Sequence, residues 1–214
     1  MKVEERKVGA AERRFFSAPI TTVKRAADDV ENPEMVIGGV SARMESRTLL
    51  YEWDEYKVFE EIAPGAFDDV LNNDCRCLFN HNSSNVLGRT TNETLKLQVV
   101  DNELRFESVL PNTQTARDVY ELVSRGDVNQ CSFQFTIETE DRLEISPKEV
   151  VYRITKIKQL YDVGPVTFPA YQDTTVSARD IEKIKEELMN RDHAPVEKNK
   201  KWKNFLRLAN TTQQ

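Results

Sequence analysis

Alternation with a period of two is the feature that most constrains this sequence. In TLKLQVVDNELRFESVL, Leu95, Leu97 and Val99 alternate with polar residues, Asp101-Asn102 supplies a turn, and Leu104 and Phe106 resume the alternation. Successive side chains of an extended chain point to opposite faces, so the pattern predicts a β-hairpin with one apolar face. CSFQFTIETE, from Cys131, repeats the alternation, and EVVYRITKIKQLYDV is a further strand-rich stretch. MVIGGVSARM reads as a strand with a bend or bulge at Gly38-Gly39, and TLLYEWDEYKVFEEI contains alternating stretches bounded by Pro64-Gly65.

Helical spacing is confined to three places. AFDDVLNN predicts a short helix with Phe67, Val70 and Leu71 inward. In TQTARDVYELVSRGDV, Ala116, Val119, Tyr120 and Val123 recur at helical intervals, Thr113 or Thr115 can cap the start, and Gly126 stands just past the end. TVSARDIEKIKEELMNRD predicts a closing helix with Ile181, Ile184 and Leu188 on one face. Repeated βα units and the GxGxxG, GxxxxGK[ST] and GxSxG motifs are all missing. The expected class is mainly antiparallel β with a few helices, either an α+β fold or a barrel, which would remove exposed strand edges.

Composition divides the chain. Apolar residues make up 39% and charged residues 31%, against usual values of roughly 45–50% and about 25%. The deficit suggests solvated ends around a core. Residues 1–34 are densely charged and without sustained period, so they read as a mobile or accessory N-terminal arm; residues 35–192 form the expected domain. Residues 193–214 form a basic tail, with Trp202, Phe205, Leu206 and Leu208 on one loose face. The net charge of −6 argues against a nucleic-acid binder. No apolar run reaches the ~18 residues of a membrane span. The start MKVEERKVGAAERRFF lacks the apolar region of a secretory signal, so a protein that is not secreted is expected, and three cysteines fit a reducing compartment better than a disulfide framework.

Few residues can carry chemistry. His193 lies in the tail, so imidazole chemistry in the core rests on His81, between the apolar run Cys77-Leu78-Phe79 and the loop-forming Asn82-Ser83-Ser84-Asn85. In CSFQFTIE, Cys131, Phe133, Phe135 and Ile137 share one strand face, which leaves Ser132, Gln134 and Thr136 on the other. A hydroxyl on a rigid strand suits nucleophilic attack if a base is within reach; otherwise Ser132 simply faces solvent. Cys75, Cys77 and His81 are three closely spaced candidate metal ligands, whereas a structural zinc site needs four. Cys131 turns into the core, where a thiol is inert.

Four ordered blocks go further: VFEEIAPGAFDDVL at 58–71, LFNHNSSNVLGRT at 78–90, LRFESVLPNTQTARDVYELVSRGDVNQCSFQF at 104–135 and DVGPVTFPAYQDTTV at 162–176. With these the chain, over about Met35 to Val176, resembles the prohead (capsid maturation) proteases of tailed bacteriophages, the HK97-like serine peptidases. The resemblance implies His81 as general base and Ser132 as nucleophile. The family usually has Glu just before the VTFPA block; this chain has Asp162 there, with Glu149 and Glu138 as alternatives for the third residue. Gln134 stands where family members commonly have Gly and shares the face of Ser132.

The resemblance also implies a closed β-barrel surrounded by helices, similar to the herpesvirus assembly proteases. It implies a serine endopeptidase without metal or cofactor, acting in the host cytoplasm inside the immature capsid. The partners it implies are the capsid protein precursor, whose scaffolding segment is cleaved, and the chain itself through autoprocessing; it is also compatible with a homo-oligomer, and gives no role to nucleic acid or membrane. The alternative is a catalytically silent scaffold or capsid-binding module on the same fold.

Overall fold

The computed structural model describes residues 12–23, 34–168, 184–186 and 188–190, with side chains from Ile20 onward. Ten strands are formed among them: β1 (Glu12–Thr22), β2 (Val36–Arg43), β3 (Thr48–Trp53), β4 (Tyr56–Ile62), β5 (Arg76–Leu78), β6 (Val86–Arg89), β7 (Leu95–Val100), β8 (Glu103–Val109), β9 (Gln130–Ser146) and β10 (Glu149–Val166). The helix α1 spans Gln114–Arg125, and residues 184–186 and 188–190 are helical. Ile181 and the basic tail with Trp202, Phe205, Leu206 and Leu208 lie outside the described residues. No helix among the described residues is long and apolar enough to cross a membrane.

Local chemistry explains most elements. Asp101 and Asn102 both adopt positive φ, 51° and 60°, the conformation a two-residue hairpin needs, and they join β7 to β8 as expected. Asp54, at φ 54°, lies in the turn between β3 and β4. Thr113 caps α1 by accepting a hydrogen bond from Ala116 N at 3.3 Å, and Gly126 ends it at φ 82°. The apolar stripe Ala116, Val119 and Val123 is buried.

Two local expectations fail. AFDDVLNN forms successive single turns, in which Ala66, Asp68, Val70 and Asn73 donate to the carbonyl three residues back. Asp and Asn are poor helix formers, and half of this stretch consists of them; Phe67 and Val70 still bury fully. Gly38 and Gly39 do not interrupt β2. They stay in its ladder opposite Glu107 and Phe106, and the register shift falls between Val40 and Ala42. Gly38 is needed for close approach, since a Cβ there would lie 2.9 Å from the Phe106 carbonyl oxygen.

The strands hydrogen-bond in the order β3-β4-β10-β9-β1-β2-β8-β7, with β5 attached to β10 and β6 to β5. Pairing is antiparallel except along β10, which runs parallel to β4 over Glu149–Ile154 and to β5 at Asp162 and Val163. The buried face carries Phe67, Leu87, Leu104, Phe106, Phe133, Phe135 and Leu160. Phe133 stacks on Phe135 at 5.0 Å and meets Phe67 edge-on at 6.1 Å. A smaller cluster packs Ile184 and Leu188 of the terminal helix with Tyr56, Val58, Val150 and Tyr152.

The closed barrel surrounded by helices, expected from the likeness to herpesvirus assembly proteases, is not formed. The hydrogen-bonded path has two ends, β3 and β7, and among the described residues β6 has a ladder with β5 alone. Side chains occupy the seam where β6 would join β7 and β8. Ser108 Oγ donates to Leu87 O at 3.2 Å, and Arg89 N donates to Thr94 Oγ1 at 2.9 Å. These hydroxyls satisfy peptide groups that a barrel would pair with a strand. Among the described residues, α1 and the helical residues 184–186 and 188–190 pack locally and do not encircle the sheet.

The seam depends on Gly88, where a Cβ would collide with Ser108 Oγ and lie 3.1 Å from Thr94 O. Gly88→Ala is therefore expected to destabilise the fold by about 1–3 kcal/mol. Urea denaturation of the variant against the parent chain measures this.

Candidate active site

Ser132 lies near the start of β9, where its neighbours in the ladder are Gly164 on β10 and Phe15 on β1. Cys131, Phe133, Phe135 and Ile137 are buried in the core, as the alternation predicts. Ser132 points the other way, yet it is also fully buried, so it does not lie on a solvent face.

Asp162 reaches the same face through an irregularity in the sheet. Leu160 pairs with Phe135, and Asp162 pairs with Gln134, so two steps on β10 match one on β9 and Tyr161 is the extra residue. In a regular strand Leu160 and Asp162 would share a face. The bulge separates them: Leu160 enters the core, and Asp162 turns to the side of Ser132. The Tyr161 hydroxyl accepts a hydrogen bond from Thr136 Oγ1 at 3.0 Å.

His81 arrives from β5. Leu78 ends that strand against Gly164, where a Cβ would strike the Leu78 carbonyl oxygen. The chain then turns sharply, with Asn80 at φ 55° and His81 at φ 54°, a left-handed conformation that Asn and His tolerate better than most residues. Phe79 N donates to Asn85 O at 3.2 Å and Ser84 N to Asn82 Oδ1 at 2.9 Å, closing the loop on itself. At the base of the β5–β6 hairpin, Arg89 binds both oxygens of Asp74 at 2.7 and 2.8 Å, and Arg76 adds a contact at 3.1 Å. The hydrogen bond from Arg89, helped by Arg76, holds the Asp74 carboxyl down to about 2.

The result is a continuous chain of three polar groups. His81 Nε2 lies 2.7 Å from Ser132 Oγ, and His81 Nδ1 lies 2.5 Å from Asp162 Oδ1. The side chains of His81 and Asp162 are 6% and 4% exposed. Burying such groups costs free energy unless each is hydrogen-bonded, and here each bonds the next. With Nδ1–H donated to the carboxylate, Nε2 presents a lone pair to the serine hydroxyl. That is the arrangement by which an imidazole takes a proton from an attacking oxygen.

Other candidates lie elsewhere. Glu149 begins β10 and pairs with Arg47 at 3.4 Å, while Glu138 is 3.5 Å from Lys156. Gln134 is half-buried and sits opposite Asp162 in the ladder. Cys75 and Cys77 are buried and free, while His81 spends both ring nitrogens on Asp162 and Ser132, so the three do not assemble as ligands. Among the described residues, no group of three or more His, Cys, Asp or Glu is placed to hold a metal ion.

The family model of the caudovirus prohead serine proteases matches residues 21–187. The chain belongs to this family. No curated protein and no solved structure matches it. In this prohead-protease chain, two residues near the polar set escaped the sequence reading. Gly164 admits the Leu78 backbone, and Asn80 bonds Thr167. Asn80 lies in the block at 78–90 and Gly164 in that at 162–176, but neither has a chemical side-chain signature to single it out.

Two outcomes follow from the packing. Gly164→Ala should displace the end of β5, cost about 1–3 kcal/mol of stability and lower peptidase activity; thermal denaturation and activity measured together check this. Burial pushes the thiols of Cys75 and Cys77 up, and that of Cys131 up to about 12. All three should therefore resist Ellman's reagent at pH 8 in the folded protein and react after denaturation.

Proposed function

We propose that this chain is a serine endopeptidase of procapsid maturation in which Ser132 is the nucleophile, His81 the general base and Asp162 the residue that orients the imidazole. The observation that carries the reading is the contact series Ser132 Oγ–His81 Nε2 and His81 Nδ1–Asp162 Oδ1, at 2.7 and 2.5 Å, in a member of the prohead protease family.

The mechanism follows from these contacts. Ser132 Oγ attacks the scissile carbonyl carbon as its proton passes to His81 Nε2. Asp162 accepts the Nδ1 proton in a hydrogen bond throughout, holding the ring in the correct tautomer and stabilising its charged form. Collapse of the tetrahedral species breaks the C–N bond, and the leaving amine takes the proton from Nε2. Water, deprotonated by the same imidazole, then releases the acyl group and restores Ser132. Backbone amides are the usual donors to the oxyanion. Asp is one methylene shorter than the family's usual Glu, yet its Oδ1 lies 2.5 Å from His81 Nδ1, on the face to which the bulge at Tyr161 turns it.

In this reading the substrate is the scaffolding segment of the capsid protein precursor, cut inside the immature capsid in the host cytoplasm. The chain also processes itself. Residues 1–34 and 193–214, flanking a protease domain at 35–192, supply targeting or self-cleavage segments; within the first of these, Glu12–Thr22 forms β1.

The test is co-expression with the capsid precursor, followed by intact-mass spectrometry. Ser132→Ala should fold and leave the precursor whole, a loss of at least about a thousandfold. Asp162→Asn should lose roughly 10³–10⁴-fold, whereas Glu149→Gln should process normally. Normal processing by Ser132→Ala would refute the proposal. Stable co-purification of uncleaved precursor with the wild-type chain would favour the scaffold or binding role instead.

A further inference from the structure

Two consecutive left-handed residues are an uncommon way to present a side chain. Asn80 lies at φ 55°, ψ 33°, and His81 at φ 54°. Such conformations are strained for a residue with a side chain, and they persist when the surroundings over-determine them. The His81 ring is fixed by Asp162 and Ser132. The backbone that carries the ring needs its own restraint, because a turn free to relax would carry the imidazole with it.

Asn80 supplies that restraint. Thr167 N donates to Asn80 Oδ1 at 2.8 Å, and Asn80 Nδ2 lies 3.1 Å from Thr167 Oγ1. A backbone N–H can only donate, so the orientation of the carboxamide is determined: oxygen to Thr167 N, nitrogen to Thr167 Oγ1. Thr167 directly follows β10, the strand that carries Asp162. The paired bonds therefore tie the histidine turn to the strand holding its carboxylate partner. Three contacts then bridge the same two segments: Leu78 against Gly164, His81 to Asp162, and Asn80 to Thr167. Two of them locate the backbone and one locates the ring. A joint of this kind resists rotation of the turn as well as its separation from the strand.

We infer that Asn80 is a positioning residue of the peptidase: its two bonds to Thr167 hold the His81 turn at the end of β10, at the distance from Ser132 that proton transfer requires. The inference rests on the proposed roles of Ser132 and His81. Asn80 does not touch substrate; it acts through His81.

Backbone conformation and the clamp can be separated experimentally. Asn80→Gly keeps, and even eases, the left-handed backbone but removes the carboxamide. Thr167→Val removes the hydroxyl and keeps the N–H, whereas Thr167→Ser keeps both. Two rates report the result: cleavage of the capsid precursor, and labelling of Ser132 by a fluorophosphonate, which reacts with an activated serine whatever the peptide specificity. Misplacing a reacting group by about 1 Å can cost about a hundredfold, so Asn80→Gly should lower kcat and the labelling rate ten- to a hundredfold with KM within about twofold. Thr167→Val should lose less, and Thr167→Ser should match the wild type. The double variant Asn80→Gly/Thr167→Val should be no slower than Asn80→Gly alone, because both remove one joint.

Wild-type rates in Asn80→Gly would overturn the inference, as would equal losses in Thr167→Ser and Thr167→Val or fully multiplicative losses in the double variant. In each of these cases the peptidase reading stands, provided that Ser132→Ala is inactive. A wild-type chain that neither labels nor cleaves would overturn that reading, and this inference with it.

Discussion

The register shift between Leu160 and Asp162 is the constraint on which the rest of the site depends. Along β10, Leu160 and Val163 must face the core to meet Phe135 and Phe133, and both are fully buried. An unbroken strand could place Leu160 and Val163 on one face only by violating the two-residue period. Tyr161, as the extra residue, resolves the conflict and reverses the facing of everything after it. Asp162 and Gly164 are thereby placed beside Ser132, and the parallel pairing of Asp162 with Arg76 places β5 beside them. The position of the carboxylate, the approach of Leu78 and the arrival of His81 all derive from that one insertion.

The polar face is costly in isolation and stable as assembled. A buried carboxylate, imidazole and hydroxyl would each disfavour folding if left alone. Linked end to end, they satisfy one another, and the hydrophobic layer on the opposite side of β9 contributes the burial that supports them. Ser132 and Phe133 are adjacent in sequence and opposite in role. The same strand that holds the stacked Phe133 and Phe135 keeps the serine on a rigid base, and packing precision becomes precision at the hydroxyl.

Sequence reading succeeded where the information was local. The β7–β8 hairpin, with Asp101-Asn102 at its turn, and the helix from Thr113 to Gly126 are written in periods and caps within a few residues. His81 and Ser132 stand out in the residue pattern and Asp162 only in the family blocks, and the fold brings the three side chains into contact. Closure of the sheet was misjudged because it depends on Ser108 and Thr94 reaching the β6 peptide groups across 21 and 5 residues, and no period records that. The turns from Ala66 to Asn73 resemble a helix in sequence because Phe67, Val70 and Leu71 fit its spacing, but Asp68, Val70 and Asn73 donate to the carbonyl three residues back, in a stretch rich in the poor helix formers Asp and Asn. Alternation alone also places Asp162 on the face of Leu160, so the bulge was invisible to it. Asn80 and Gly164 act through backbone geometry, which composition does not encode.

The β5–β6 hairpin is attached to the rest of the sheet by two residue pairs with β10, by the contacts of Asn80 and His81 at its turn, and by side-chain hydroxyls at its far edge. Its histidine meets a serine 51 residues later and an aspartate 81 residues later. Contacts of such long separation require large loops to close, whereas the β7–β8 turn requires almost none. In the proposed reading, chemical competence is therefore a late property of the folding chain. A partly folded molecule carries the serine without its base, so a peptidase that cuts its own kind would stay silent until its architecture is complete.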